Sequence, residues 1–347
     1  MQARDADIAG ARRAGRIVCF GEVLVRLSSP QGELLLQSPA LNTCIGGAEA
    51  NVAVSLAHFG HDAAVVSTLP GNQLGTVARN RLREYGVDTR AVGFRPGRMG
   101  LYFLTPGAVL RPSEIIYDRA GSAFEQCPPE HYDWNALLAG ADWLHVSGVS
   151  PALGDKAAQA VLDAVRTAQA LGVKVAFDGN YRATLWAQQG HDGADVLCEL
   201  MRHVDLAFAD QRDIALVLKR PELAGPARRA DAIAAAFEAF PRLGRLVATV
   251  RTQHTVDEHE LSAVMTTRSG ALDTASYRLS GIVDRIGTGD AFAAGVLHGL
   301  QSGWDDQRSL DFAVAAATVK HAIAGDFNLA SEAQVLAAIS GKLDVRR

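Results

Sequence analysis

The segment DRIGTGDAFAAG, residues 284–295, carries the sharpest chemical signal in the chain. Gly287, Thr288, Gly289 and Asp290 stand just ahead of a small-residue run with helical character. Glycines let backbone N–H groups converge with no side chains in the way, and the dipole of a helix starting there favours negative charge. The pattern reads as an anion hole. A carboxylate inside an anion hole repels the anion unless it has a task of its own, and the task that fits is to take a proton. Asp290 can receive a hydroxyl proton while that oxygen attacks a terminal phosphoryl group and the amides hold charge on the phosphoryl oxygens. The competing reading makes Asp290 a helix N-cap and the glycines a tight turn. G-x-G-D arises from composition in about one chain in twelve of this length, so its setting has to decide.

The setting is a repeated strand–helix pattern. The runs 17–27 (IVCFGEVLVRL), 63–69, 142–148, 173–179, 205–209 and 245–251 each predict a buried strand. Between them lie amphipathic stretches such as AEANVAVSLAHFG, closed by Gly60, and LGTVARNRLREYG, closed by Gly86, where glycine is the usual helix stop. The alternation predicts an α/β fold, a doubly wound and mostly parallel sheet with helices on both faces and ligands at the carboxyl ends of the strands. Two segments break it, 28–45 and 91–119. In the second, GLYFLT and EIIYDR flank a turn region and predict hairpin strands. Together the two predict a small β lid that covers a site from one side, with ornamental loops as the alternative.

Composition narrows the classes. The chain has 347 residues, 48% hydrophobic and 21% charged, which suits a large core in one or two domains and excludes a disordered polypeptide. A net charge of −4 argues against nucleic acid as a partner. Four scattered cysteines without a C-x-x-C pair argue against a zinc site and a disulfide framework, and point to a reducing cytoplasm. Residues 1–16 lack an apolar centre and are expected to be a disordered leader, 17–341 a single catalytic domain and 342–347 a tail; no run is apolar enough for a membrane span. There is no G-x-x-x-x-G-K-[ST], and no G-x-G-x-x-G follows the first strand.

Ordered along the chain, GE at 21–22, GGAEANVA at 46–53, PGNQLG at 70–75, GVDT at 86–89 and DRIGTGDAFAAG resemble the ribokinase-like (PfkB) carbohydrate kinases. The resemblance spans about residues 17–340 and implies a ribokinase-like fold with a β lid, ATP and Mg²⁺ as cofactors, and Asp290 as the catalytic base. GGAEAN, YDRAGSA (117–123), DGNYRATLW (178–186) and KHAIAGDFN (320–328) look most like the 2-keto-3-deoxygluconate kinases within that family. That likeness assigns Gly46, Gly47, Asn51, Tyr102, Tyr117, Arg119 and Arg182 to an acidic keto sugar, and Asn180, Tyr181, Arg182, Gly287 and Gly289 to the nucleotide. Arg119 and Arg182 have the forked guanidinium that grips a carboxylate.

Each assignment has a structural competitor. Arg119 could pair with Glu114 at the surface, Tyr102 and Tyr117 could fill a hairpin interface, and Asn51 could cap or pack its helix. Where the family often has N-x-x-E, ADQRD offers Asp210 and Asp213 as water-mediated Mg²⁺ partners, with solvation as the alternative. Arg251 stands in place of a nucleotide-contacting glycine loop, His321 is expected to pack or stack, and Lys320 to face solvent. The resulting expectation is an ATP-dependent kinase that makes the 6-phosphate of 2-keto-3-deoxygluconate, a homodimer through its lid, with a monovalent cation admitted as activator. The rivals are a neutral-ketose (fructokinase-like) enzyme of the same family and an inactive sugar- or nucleotide-sensing module.

Overall fold

A computed structural model describes residues 15–341. Its strands are β1 (Arg16–Phe20), β2 (Leu24–Ser28), β3 (Asn42–Gly46), β4 (Asp62–Pro70), β5 (Val92–Arg95), β6 (Gly100–Thr105), β7 (Glu114–Asp118), β8 (Ala141–Ser147), β9 (Lys174–Asp178), β10 (Leu206–Phe208), β11 (Arg245–Gln253), β12 (Glu258–Thr267), β13 (Gly270–Asp273) and β14 (Tyr277–Ser280). The large sheet runs β13-β12-β11-β10-β9-β8-β1-β4-β5, with β14 also paired to β12. From β11 to β5 every pairing is parallel, whereas β12 pairs antiparallel with β11, β13 and β14. This is the expected mostly parallel sheet, with an antiparallel edge that strand patterning did not anticipate.

Central strands are apolar on both sides because both faces are covered. In β1, Ile17 and Cys19 enter a core shared with the helices Ala48–His58, Thr288–Gln301 and Asp306–Lys320. Val18 and Phe20 enter the opposite core, built on Asp155–Leu171, Ala194–Met201 and Gln211–Val217. Local signals agree with these elements: the Asn72 side chain caps Gln73–Glu84 by accepting from the Gly75 N–H, and Gly172 ends Asp155–Leu171 in a left-handed conformation.

A second, four-stranded sheet has the order β3-β2-β6-β7. Three expectations need correction. The run 17–27 is two strands in two sheets, because the chain leaves the large sheet at Gly21, where a Cβ would overlap the Glu49 carboxylate. Residues 92–95 are the outer strand of the large sheet, so the part of 91–119 that departs from that sheet follows Arg95. Arg16 is no leader residue, since it opens β1 and pairs with Asp62 and Asp88. The remaining leader residues 1–14 and the tail 342–347 lie outside the described residues. Among the described residues no helix is long and apolar enough to cross a membrane, and all four cysteines are free.

Candidate active site

Gly287, with φ of 78°, ends the glycine loop, and the helix Thr288–Gln301 starts directly after it. A Cβ on Gly287 would overlap the carbonyl oxygen of Asp326, whereas one on Gly289 would meet nothing within 4 Å. The first glycine is thus required by packing, and the second leaves the amides of the first helical turn, which have no intrahelical partner, open to a ligand. Asp290 is the third residue of this helix and not its cap. Its Oδ2 instead accepts a 2.6 Å hydrogen bond from Nδ2 of Asn51, in the first turn of the helix Ala48–His58. Burial pushes the Asp290 carboxyl up to about 8; the Asn51 bond opposes this, and the charges of Asp178, Asp326 and Glu49 add to it.

Directly before Asp290, Thr288 and Gly289 line a cavity of about 760 Å³ at the carboxyl ends of the parallel strands. Asp178, Asp210, Asp213, Arg251, Thr288, Gly289 and His321 all line it. Asp178 ends β9, and burial raises its carboxyl to about 7, with the charge of Asp213 adding and Arg182 opposing. Burial likewise raises Asp213, to about 6. Asp210 does not share that position. Asp210 and Asp213 share a capping box, Asp213 Oδ2 accepting the Asp210 N–H at 2.9 Å, but Asp210 alone also accepts from the Arg212 guanidinium, so its remaining lone pairs are engaged in an ion pair. The acids that fit a mainly water-held Mg²⁺ are therefore Asp178 and Asp213, and among the described residues no cluster of three ligands forms a protein cage.

The loop after β9 is tightly made. Asn180, at φ of 36°, donates its N–H to Asp178 Oδ1 at 3.0 Å. The Tyr181 hydroxyl donates to the Asp192 carbonyl at 3.1 Å, and its ring lines a small pocket with Leu197 and Ile214; it is not among the residues lining the large cavity. Arg182 is exposed, donates to its neighbour's carbonyl at 3.2 Å and acts electrostatically on Asp178 and Asp213. Arg251 is also exposed and stands in the cavity wall, with no ion pair among the described residues.

The remaining site residues gather at the small sheet. Leu24, Tyr102 and Leu104 form an apolar cluster there with Tyr117 and Ile286 of the glycine loop. Tyr102 and Tyr117 are cross-strand partners with ring centroids 6.2 Å apart, and the Tyr102 hydroxyl donates to Asp326 Oδ2 at 2.6 Å. Arg119 is buried, lies 5.7 Å over the Tyr117 ring and donates Nε to Glu22 at 2.8 Å. Its partner is thus neither the surface Glu114 nor solvent. Gly46 and Gly47 give room for close packing, since a Cβ would overlap Asp326 at the first and the Glu22 backbone at the second. Among the described residues two buried acceptors, Asn51 Oδ1 beside Asp290 and Glu22 Oε1, have no hydrogen-bond donor, and Asp326 Oδ1 has only its ion pair with Arg26 at 3.2 Å. Unmet acceptors at this depth suit a ligand rich in hydroxyl donors.

The family model for pfkB family carbohydrate kinases matches residues 14–326. The chain belongs to that family. It is a phosphotransferase that acts on a sugar hydroxyl. A 2-dehydro-3-deoxygalactonokinase of Haloferax volcanii is 31% identical over 94% of this chain and 96% of its own. A 2-dehydro-3-deoxygluconokinase of Thermoproteus tenax is 27% identical over 89% of each. The crystal structure of a 2-dehydro-3-deoxygluconokinase from Thermotoga maritima superposes with a TM-score of 0.88 at 36% identity, covering 94% of this chain and all 100% of that one.

Sequence reasoning on this kinase passed over several site residues. Asp178 was visible as the acid ending a buried strand ahead of a Gly-Asn turn. Glu22 and Asp326 lay inside the quoted GE and KHAIAGDFN motifs and Arg26 in none, but their partners, 97, 224 and 258 positions away, left no local sign. Lys320 is a correction: it is fully buried, not solvent-facing, and donates Nζ to the Ile323 carbonyl at 2.9 Å. His321 packs as expected, with Nδ1 against the Ala317 carbonyl at 2.7 Å and its ring edge-on to His259.

Proposed function

We propose that this pfkB kinase transfers the terminal phosphoryl group of ATP to the primary hydroxyl of an acidic keto sugar of the 2-keto-3-deoxygluconate type, giving its 6-phosphate. The observation that carries the reading is the Asn51–Asp290 contact, which fixes the carboxyl next to Thr288 and Gly289 of the cavity wall and within the field of Asp326, itself bonded to Tyr102 of the small sheet. A hydroxyl arriving from the sheet side meets an acceptor that can take its proton, and a phosphoryl group arriving from the cavity meets the open amides at Thr288 and Gly289. In-line transfer needs little more than this positioning and a place for charge.

The roles follow from the geometry. Asp290 is the general base, and Asn51 orients it. The amides of residues 287–290 hold the phosphoryl oxygens, and Arg251 meets the nucleotide's phosphates. Asp178 and Asp213 would hold Mg²⁺ through water, and the ion would supply positive charge opposite the phosphates. Asn51, Glu22 and Asp326 accept hydrogen bonds from sugar hydroxyls, while Tyr102 and Tyr117 wall the sugar site. Since Glu22 already neutralises Arg119, the sugar carboxylate is left to Arg182, with Arg119 fixing the Tyr117 wall.

The relatives named for 2-dehydro-3-deoxy sugar acids support an acidic acceptor, and the two sugar names among them make both epimers part of the test. ADP release is measured with the gluco and galacto acids, fructose and ribose. Turnover confined to the acids is expected. Equal turnover of fructose would favour the neutral-ketose reading, and saturable sugar binding with no ADP from any acceptor would end the assignment. The same assay with and without K⁺ tests a monovalent activator.

A further inference from the structure

Among the described residues Lys320 is the one lysine that is wholly enclosed, with 0% of its surface exposed. It ends the helix Asp306–Lys320, and its Cε comes within 3.4 Å of the Cβ position of Gly287. The Asp326 carbonyl and the lysine stem thus both press on the Cβ side of Gly287. The surrounding groups form a closed set. Arg26, from β2 of the small sheet, donates to Asp284 of the glycine loop at 2.7 Å and pairs with Asp326 at 3.2 Å. Asp284 accepts the Gly325 N–H at 3.0 Å, and Asp326 accepts the Tyr102 hydroxyl. Two carboxylates and two cations are thus enclosed behind the loop.

We propose that Lys320 is a positioning residue of the transfer site, bracing the Gly287 turn from behind and keeping a fixed positive charge beneath the anion hole. The inference rests on the transfer reading above. An enclosed charge of this kind costs several kcal/mol of desolvation, so a methionine or leucine would fill the space more cheaply if packing were its only purpose. What the ammonium adds is field. It attracts Asp284, Asp326 and Asp290, and is repelled by Arg26. Asp290 faces Asn51 and Glu49 from the helix Ala48–His58, Asp178 from β9 and Asp326 from the segment after residue 320, so Lys320 is the nearby cation that opposes an otherwise acidic surround. Burial draws Lys320 below its ordinary value while the two carboxylates hold it up.

The test compares wild type, Lys320→Met, Lys320→Gln and Lys320→Arg by thermal melting and by the pH profile of ADP release. Glutamine keeps a donor for the Ile323 carbonyl without the charge. The charge-free variants should lose about tenfold in kcat near pH 7 and move the acidic limb up by about half to one pH unit, with sugar KM within about threefold. Arginine should restore the limb. A folded charge-free variant with the wild-type limb and kcat overturns the proposal. If neither charge-free variant folds, the charge serves the fold and the proposal falls as well. A wild type that releases no ADP defeats the transfer reading itself, whatever the variants do.

Discussion

At the level of single residues, Asp290 occupies a setting that works against its own charge. With its carboxyl raised from 3.8 to about 8 by burial, most of the empty protein holds it protonated at neutral pH. Catalysis needs the ionised form, so kcat/KM should climb as pH rises through about 8. Replacing Asn51 with Leu removes the hydrogen bond that opposes the shift and should move this limb higher still; an unmoved limb would separate Asn51 from the base. Asp290→Asn should lower kcat by about 10² to 10⁴ with sugar affinity retained. Stability gives an independent reading. A carboxyl raised on folding contributes stability that is complete below 3.8 and is lost as pH rises through about 8. Asp290→Asn should therefore melt with wild type near pH 4 and above it near pH 8, and equal melting temperatures at both would count against the raised carboxyl. Arg182→Ala touches no buried partner, so its melting should hold while KM for an acid sugar rises about tenfold or more and that for fructose stays put. Arg119→Ala differs: it leaves Glu22 buried without its cation and should cost about 3–5 kcal/mol of stability.

At the level of elements, the glycine loop separates packing from ligand access. Gly287→Ala forces a side chain into a left-handed turn against the Asp326 carbonyl and should cost well over about 1 kcal/mol. Gly289→Ala adds a methyl group where nothing stands, so the fold should persist while KM for ATP rises. Equal losses of melting temperature in the two variants would contradict this division. The same loop shows what could be read from the chain alone. Its glycines, its aspartate and the helix after it are contiguous and were legible, as were the buried parallel strands, whose apolar runs are local. The break at Gly21 was not, because it depends on Glu49 reaching across from a helix. The capping role of Asp210 was missed because ADQRD presents the same acids whether they point inward or toward their own amides. Arg119 was expected at the sugar carboxylate, with the surface Glu114 as its alternative partner; the partner it has, Glu22, is 97 positions away and left no local sign.

At the level of the whole molecule, the small sheet ends in β7, where Ile115 and Ile116 are exposed and the preceding loop exposes Val109 and Leu110. An unpaired apolar edge of this kind invites a second copy, and we expect a dimer closed through these sheets. Light scattering should show twice the chain mass, and Ile116→Lys should halve it; a wild-type monomer at micromolar concentration would reject the arrangement. The transfer site itself has a wide span. Asn51 and Asp290 are 239 positions apart and Arg26 and Asp284 are 258, so it is assembled from both ends of the chain. Long-range closure of this kind is slow compared with helix formation. Recovery of phosphorylation after dilution from denaturant should trail the return of circular dichroism. During synthesis, a ribosome should have to release the stretch through Asp326 before a copy can turn over nucleotide, so chains stalled short of it should be silent.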